Sequence, residues 1–170
     1  LDKMGFAPGA LALMKSAIEK PFGMILITGP TGSGKSTTLY SILSHINTIE
    51  TNIMTLEDPV EYQLPLIRQS TVREGTGMDF SNGVKSLMRQ DPDIIFVGEV
   101  RDEDTALMAM RAALTGHQVY TTLHTNDAAG SFPRLIDLGI DEKVLSSAII
   151  AALAQRLVRK LCEKCRVEGL

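Results

Sequence analysis

One glycine-rich segment carries the clearest chemistry in the sequence: Gly29-Pro30-Thr31-Gly32-Ser33-Gly34-Lys35-Ser36. Every fixed position matches the G-x-x-x-x-G-K-[ST] pattern of a phosphate-binding loop (P-loop). The glycines let backbone N–H groups face phosphate oxygens, and the helix expected to follow adds the positive end of its dipole. We expect Lys35 to reach the β- and γ-phosphates of a nucleotide, Ser36 to bind Mg²⁺, and Thr37 to touch the α-phosphate.

Two carboxylates follow apolar runs elsewhere in the chain. Glu99 comes shortly after the apolar run at 94–97, where an acid could hold the Mg²⁺ shell or the attacking water. The alternative is an acid that favours a helix start beside Arg101. Glu57 ends a second apolar run, and it could orient or deprotonate a lytic water if both runs meet at one crevice. Taken alone, the Glu57-Asp58-Pro59 stretch only indicates a turn.

Two histidines, His117 and His124, flank a third apolar run at 119–123. Their separation of seven residues places them on opposite faces of a regular strand, so they do not form one metal site with each other. His124 lies at the carboxyl end, where it could sense a γ-phosphate. Spacing alone favours a structural role for both.

Apolar runs and amphipathic stretches alternate along the chain, which predicts a parallel sheet covered by helices on both faces. The fold class is therefore α/β, with the ligand at the carboxyl ends of the strands. The predicted strands cover residues 24–27, 53–56, 66–72, 94–97 and 119–123. The predicted helices lie near residues 10–19, 35–47, 80–90, 102–114, 127–138 and 141–160.

Composition excludes several kinds of partner. The 170 residues are 44% hydrophobic and 22% charged, which suits one soluble globular domain. The formal net charge of -3, 5% aromatic residues and no Trp argue against a nucleic-acid partner. No apolar run of about 20 residues is present to span a bilayer.

With these segments together, the chain resembles the type II secretion and type IV pilus assembly ATPases over essentially all 170 residues. The matching blocks are the P-loop, an Asp box at 56–62, a Walker B block at 89–102 and a His box at 115–126. Four blocks in this order are more specific than a P-loop alone.

The resemblance implies a RecA-like P-loop NTPase domain that uses ATP and Mg²⁺. It assigns Glu57 to the lytic water, Glu99 to Mg²⁺ and water, and His124 to the γ-phosphate. Possible phosphate or inter-subunit contacts are Arg68, Arg73, Arg101 and His117.

The resemblance also implies that the domain works within a larger assembly. Family members form ring-shaped cytoplasmic hexamers that associate with the inner membrane through a platform protein and drive pilin polymerisation or pseudopilus growth. They carry a preceding domain that supplies arginines to the site. We therefore expect residues 1–161 to be the RecA-like ATPase domain of a longer protein.

A C-x-x-C pair, Cys162 and Cys165, begins the segment 162–170. Assembly and secretion ATPases have a tetracysteine zinc module that starts in this way, so the pair favours assembly over retraction. Structural zinc needs four ligands. We therefore expect no ordered zinc with two cysteines, and Zn²⁺ only in a full-length protein.

Three alternatives remain. The first is a pilus-retraction motor of the same fold, which the C-x-x-C pair disfavours. The second is a RecA-like nucleic-acid motor, which the acidic charge balance disfavours. The third is a regulatory module that binds nucleotide without hydrolysing it, which Glu57 and Glu99 argue against.

Overall fold

Six parallel strands form one sheet in the computed structural model, which describes residues 1–73 and 78–167. Their order across the sheet is β3-β2-β4-β5-β1-β6, and every neighbouring pair is parallel. All six carboxyl ends therefore lie along one side, which we call the carboxyl edge. The strands are β1 (Gly23–Thr28), β2 (Ile53–Glu57), β3 (Arg68–Thr71), β4 (Ile94–Val97), β5 (Gln118–Leu123) and β6 (Ile149–Ala154).

Helices cover both faces of this sheet, as the alternating pattern predicted. Alternate side chains of the strands point to opposite faces, so Met24 and Leu26 lie in one apolar core while Ile25 and Ile27 lie in the other. The first core includes residues of α3 to α6, and the second includes residues of α1 and α2. The helices are α1 (Pro8–Ile18), α2 (Lys35–Ile46), α3 (Phe80–Leu87), α4 (Glu103–Leu114), α5 (Ser131–Asp137) and α6 (Glu142–Ala148).

The start of α4 is fixed by a side-chain cap close to the carboxyl edge. The Asp102 carboxylate accepts the backbone N–H of Thr105 at 2.8 Å and its hydroxyl at 2.9 Å. Satisfying these groups stabilises the first turn of a helix. The cap therefore fixes where the chain turns into α4, only three residues after Glu99.

The predicted long helix at 141–160 is wrong. The structure has the short helix α6, then the strand β6, and no helix or strand over residues 155–160. The Ala-rich run 149–154 has helical propensity, but β6 pairs with β1 over five positions. Without β6, one side of the buried strand β1 would leave its backbone groups unpaired, so tertiary pairing overrides propensity.

None of the helices within residues 1–73 and 78–167 is long and apolar enough to cross a bilayer.

Candidate functional site

A cleft of about 550 Å³ opens at the carboxyl edge of the sheet. Residues 31–37 of the P-loop form one wall, and Glu57, Glu99 and His124 lie on the same cleft. The P-loop follows β1, Glu57 ends β2, and Glu99 and His124 follow β4 and β5. Parallel pairing of the strands therefore brings together segments that are far apart in sequence. The structure therefore gathers into one cleft the P-loop and the three residues that the sequence singled out for catalysis.

The P-loop backbone has a shape that depends on glycine. Gly32 and Gly34 have φ angles of +75° and +85°, which L side chains rarely adopt. Helix α2 begins at Lys35 without a side-chain cap, so no capping side chain satisfies its first N–H groups, and these residues line the cleft. The buried Ser33 hydroxyl has no hydrogen-bond partner within the described structure. Unsatisfied donors around a concave loop fit a polyphosphate.

Lys35 lies half-buried beside this loop. Its ammonium donates hydrogen bonds to the carbonyl oxygens of Gly29 at 2.8 Å and Pro30 at 3.1 Å. Burial lowers the pKa of Lys35; the nearby Glu99 charge opposes that shift, and Arg156 adds to it. The ammonium is thus held against the loop by carbonyl oxygens, which a phosphate could replace as acceptors.

Glu99 lies between two basic side chains. Its carboxylate contacts the Arg101 guanidinium, and its other oxygen lies 3.7 Å from Nε2 of His124. The Glu99 side chain is only 15% exposed, whereas those of Arg101 and His124 are more than half exposed. The cluster places a carboxylate in the wall of the cleft and the more exposed Arg101 and His124 side chains beside it.

Glu57 is buried, and its carboxylate is held by three donors. One oxygen accepts the Tyr40 hydroxyl, and the other accepts the Thr55 hydroxyl and the Gln69 side-chain amide, the latter at 3.2 Å. A carboxylate offers about four acceptor sites, so most of them are filled. These bonds fix the orientation of Glu57 at the end of β2, where it lines the cleft.

A hydroxyl network joins the end of β1 to the His box. Thr28 lies directly before the P-loop, and its hydroxyl donates to the Leu123 carbonyl at 3.0 Å. The same oxygen accepts the Thr125 N–H at 2.8 Å. The segment that carries His124 is therefore tied to the first residue before the P-loop.

Three of the predicted contact residues do not line the cleft. Arg68 starts β3 and His117 precedes β5, so both lie at the opposite edge of the sheet. Nδ1 of His117 lies 3.0 Å from the Ala112 carbonyl. Arg73 follows β3 and pairs with Met78 in a short antiparallel bridge. Arg101 is the one member of that predicted set that the structure brings to the cleft.

Cys162 and Cys165 are free thiols at the surface. The pKa of Cys162 is lowered mainly by a backbone hydrogen bond from Lys164, and further by the Cys165 thiol. Among the described residues, no three His, Cys, Asp or Glu side chains group as a metal site. The zinc expectation for a longer chain stays a prediction.

The family comparison matches the whole chain. Residues 1–170 fit the family described as "Type II/IV secretion system protein". The chain belongs to this secretion system protein family. The family resemblance inferred from the four sequence blocks is thereby confirmed.

Curated relatives of this secretion family include both assembly and secretion proteins. The type IV pilus assembly ATPase PilB of Thermus thermophilus is 52% identical over 168 residues, which are 99% of this chain and 19% of that protein. The type II secretion system protein HxcR of Pseudomonas aeruginosa is 51% identical over 99% of this chain and 36% of its own length. The chain thus spans about a fifth to a third of these relatives.

Solved structures agree with the α/β P-loop fold. The pilus retraction motor PilT, solved with bound ADP, is 40% identical with a TM-score of 0.76, over 87% of this chain and 45% of PilT. The Legionella pneumophila ATPase DotB is 36% identical with a TM-score of 0.70, over 86% of this chain and 41% of DotB.

The sequence analysis missed several residues that shape the cleft. Tyr40 and Gln69 hold Glu57, and Thr28 holds the His box. Gln155 contacts the P-loop, and Leu157 lines the cleft. None belongs to a fixed position of a motif. The one available signal was an apolar run ending at residue 154, which also fits a buried strand with functional residues at its carboxyl end.

Proposed function

We propose that this chain is the ATP-hydrolysing domain of a type IV pilus assembly or type II secretion motor. One observation carries the proposal: the P-loop, Glu57, Glu99 and His124 line a single cleft at the carboxyl edge of the sheet. A phosphate cradle beside two carboxylates is what hydrolysis of a phosphoanhydride needs. The family match over residues 1–170 supports the same conclusion.

The P-loop binds the phosphates of ATP. Its uncapped helix start and left-handed glycines supply N–H donors, and Lys35 exchanges its carbonyl partners for phosphate oxygens. Mg²⁺ typically enters such sites with the nucleotide and takes only one or two protein oxygens. Ser36 and Glu99 would hold it, and it would neutralise charge on the phosphates. Thr37 continues the wall toward the α-phosphate.

The two carboxylates have different surroundings, which suggests different roles. Three donors fix the orientation of the Glu57 carboxylate, so it can accept a hydrogen bond from a water molecule and hold that water in position. Glu99 has basic neighbours and lies near Lys35, which suits the Mg²⁺ shell. His124 follows β5 next to Glu99, where a phosphate oxygen could accept its N–H. Arg101 adds positive charge at the mouth.

The wider machine is also part of the proposal. The curated relatives named above, at 51–52% identity, are assembly and secretion proteins. The C-x-x-C pair of Cys162 and Cys165 favours the same assembly or secretion role over retraction. In the complete protein we place the domain in a cytoplasmic ring hexamer, attached to the inner membrane through a platform protein, with no nucleic-acid partner.

The first experiment measures phosphate release from MgATP as a function of protein concentration, with Lys35→Ala as the inactive control. Turnover that rises more steeply than concentration would show sites completed between copies, as a ring requires. Strict proportionality would contradict shared sites. ATP binding without phosphate release would assign essential residues to the additional sequence that the longer relatives carry. Loss of both binding and release would overturn the ATPase proposal.

A further inference from the structure

The chain that follows β6 lies on the P-loop. Gln155 makes three hydrogen bonds there: its N–H donates to the Thr28 carbonyl at 2.9 Å, and its side-chain amide donates to the Ser33 carbonyl at 2.9 Å. Its side-chain oxygen accepts the Thr38 hydroxyl at 2.8 Å. One residue therefore links the end of β1, the loop itself and helix α2.

Two P-loop glycines allow this close approach. A Cβ built on Gly29 would lie 2.5 Å from the Gln155 carbonyl oxygen, and one built on Gly34 would lie 2.9 Å from its side-chain nitrogen. At Gly29 the close atom belongs to the backbone, so a side chain there would force the segment 155–157 away from the loop. At Gly34 a side chain would require the Gln155 amide to shift from its place against the loop.

Leu157, two residues further along, lines the same cleft as the P-loop. The residue is 70% exposed, and its Cδ2 lies 3.6 Å from a Cβ position on Gly34. Leu157 therefore adds an apolar side chain beside the P-loop wall, whose residues 31–37 are otherwise glycines and polar residues. A ligand that covers this surface removes apolar area from water, which favours binding.

The strand order says which part of a nucleotide can reach Leu157. Glu57 ends β2, and Glu99 and His124 follow β4 and β5; these three strands lie on one side of β1 in the sheet. Leu157 follows β6, which lies on the other side of β1. With the phosphates in the central P-loop and the γ-phosphate toward the acids, the nucleoside extends toward β6.

We propose that Leu157 forms part of a nucleoside subsite and that Gln155 is a positioning residue that holds this wall against the P-loop. The proposal rests on the nucleotide site proposed above. Base and ribose lie against the Leu157 side chain, whereas Gln155 maintains the loop that holds the phosphates. Leu157 thus distinguishes a nucleotide from a bare polyphosphate.

The test compares two ligands, MgADP and magnesium pyrophosphate, by isothermal titration calorimetry. They share a diphosphate, and only ADP carries a nucleoside. We expect Leu157→Ala to raise the Kd for ADP by about fivefold, because part of a leucine surface is lost, and to leave the Kd for pyrophosphate within about twofold. The matched control is Val158→Ala, since Val158 is 86% exposed and does not line the cleft. Gln155→Ala should weaken both ligands.

Unchanged ADP affinity in Leu157→Ala would overturn the nucleoside subsite. An equal loss of affinity for ADP and pyrophosphate would also overturn it, because Leu157 would then only support the loop. Failure of the unsubstituted protein to bind either ligand would overturn the nucleotide site as a whole. Because Lys35→Ala should weaken both ligands, it separates a failed phosphate site from a failed nucleoside contact.

Discussion

The Tyr40 hydroxyl donates a hydrogen bond to the Glu57 carboxylate, and this bond joins the P-loop helix α2 to the end of β2. Tyr40 is buried, and the pKa of its hydroxyl is raised by burial and by the hydrogen bond to Glu57, so it stays a donor. The same oxygen accepts the Glu61 N–H at 3.3 Å. The orientation of the acid thus depends on the helix that begins at the phosphate site.

Replacement of Tyr40 by Phe should lower turnover while nucleotide affinity is retained. The ring remains, but the Glu57 carboxylate loses a hydrogen bond that contributes about 1.5–3 kcal/mol, so we expect kcat to fall by about 10- to 100-fold. Steady-state kinetics should show KM for ATP within about twofold. The control is Tyr62→Phe, because Tyr62 contacts the Tyr40 ring edge-on but is 52% exposed. An unchanged kcat in Tyr40→Phe would show that the hydrogen bond from Tyr40 to Glu57 does not contribute to catalysis.

Lys35→Ala should strongly weaken nucleotide binding. The ammonium is the principal charge at the P-loop, and loss of its charge-assisted hydrogen bonds should raise the Kd for ATP at least about tenfold. Equilibrium binding of a fluorescent ATP analogue measures this. The control is Lys20→Ala, because Lys20 is exposed near the end of α1. This variant should bind the ATP analogue as tightly as the unsubstituted protein does. Equal affinities of the two variants would contradict the assignment of Lys35.

Glu99→Ala should retain ATP binding and lose most of its turnover. The carboxylate lies beside Arg101 and His124 at the cleft wall, so its loss should lower kcat on the order of 100-fold. Rapid phosphate-release assays measure the rate, and binding assays run in parallel. The comparison variant is Glu103→Ala, an exposed acid in the first turn of α4. Normal turnover of Glu99→Ala would show that the Walker B carboxylate lies elsewhere.

Gly83→Ala should destabilise the fold. A Cβ on Gly83 would lie 2.3 Å from a methyl group of Leu56, the buried residue that precedes Glu57. Overpacking of this kind costs about 1–3 kcal/mol, which exceeds the roughly 1 kcal/mol that alanine gains over glycine in a helix. Urea denaturation measures the change. Gly9→Ala in α1 meets nothing within 4 Å, so it should cause no loss of stability.

Stability should fall at alkaline pH because of Tyr120. This side chain is fully buried, and burial raises the pKa of its hydroxyl above its ordinary value of 10.0. The folded state therefore keeps a proton that the unfolded state loses. The stabilisation is complete below pH 10 and declines above it, by up to about 1.4 kcal/mol per pH unit.

Urea denaturation between pH 9 and pH 11 tests this contribution. Tyr120→Phe should show a shallower decline above pH 10 than the unsubstituted protein, because phenylalanine cannot ionise. Tyr62→Phe serves as the exposed control. Identical pH slopes for Tyr120→Phe and the unsubstituted protein would mean that Tyr120 does not contribute to alkaline unfolding.

Local pattern was enough to predict the P-loop, the buried strands and the acids and histidine that follow them. Four-residue apolar runs such as 94–97 indicate a strand that is buried on both sides, and the P-loop pattern fixes the order of strand, loop and helix. Local pattern failed at 149–154, where an Ala-rich run pairs with β1 as a strand. This strand pairs with β1, where Ile149 lies opposite Met24, a residue 125 positions earlier in the chain. The periodicity of a local segment cannot reveal a partner at that distance.

The sequence by itself determined the P-loop pattern that predicts a nucleotide phosphate site, because this pattern is local to eight consecutive residues. Only the tertiary structure decided how that site is completed. The strand order sends Glu57, Glu99 and His124 to one side of the P-loop and Gln155 and Leu157 to the other. Strand order is a property of long-range pairing, which local pattern does not contain. Parallel pairing also holds Arg68 and His117, at the amino ends of β3 and β5, on the opposite edge of the sheet from the cleft.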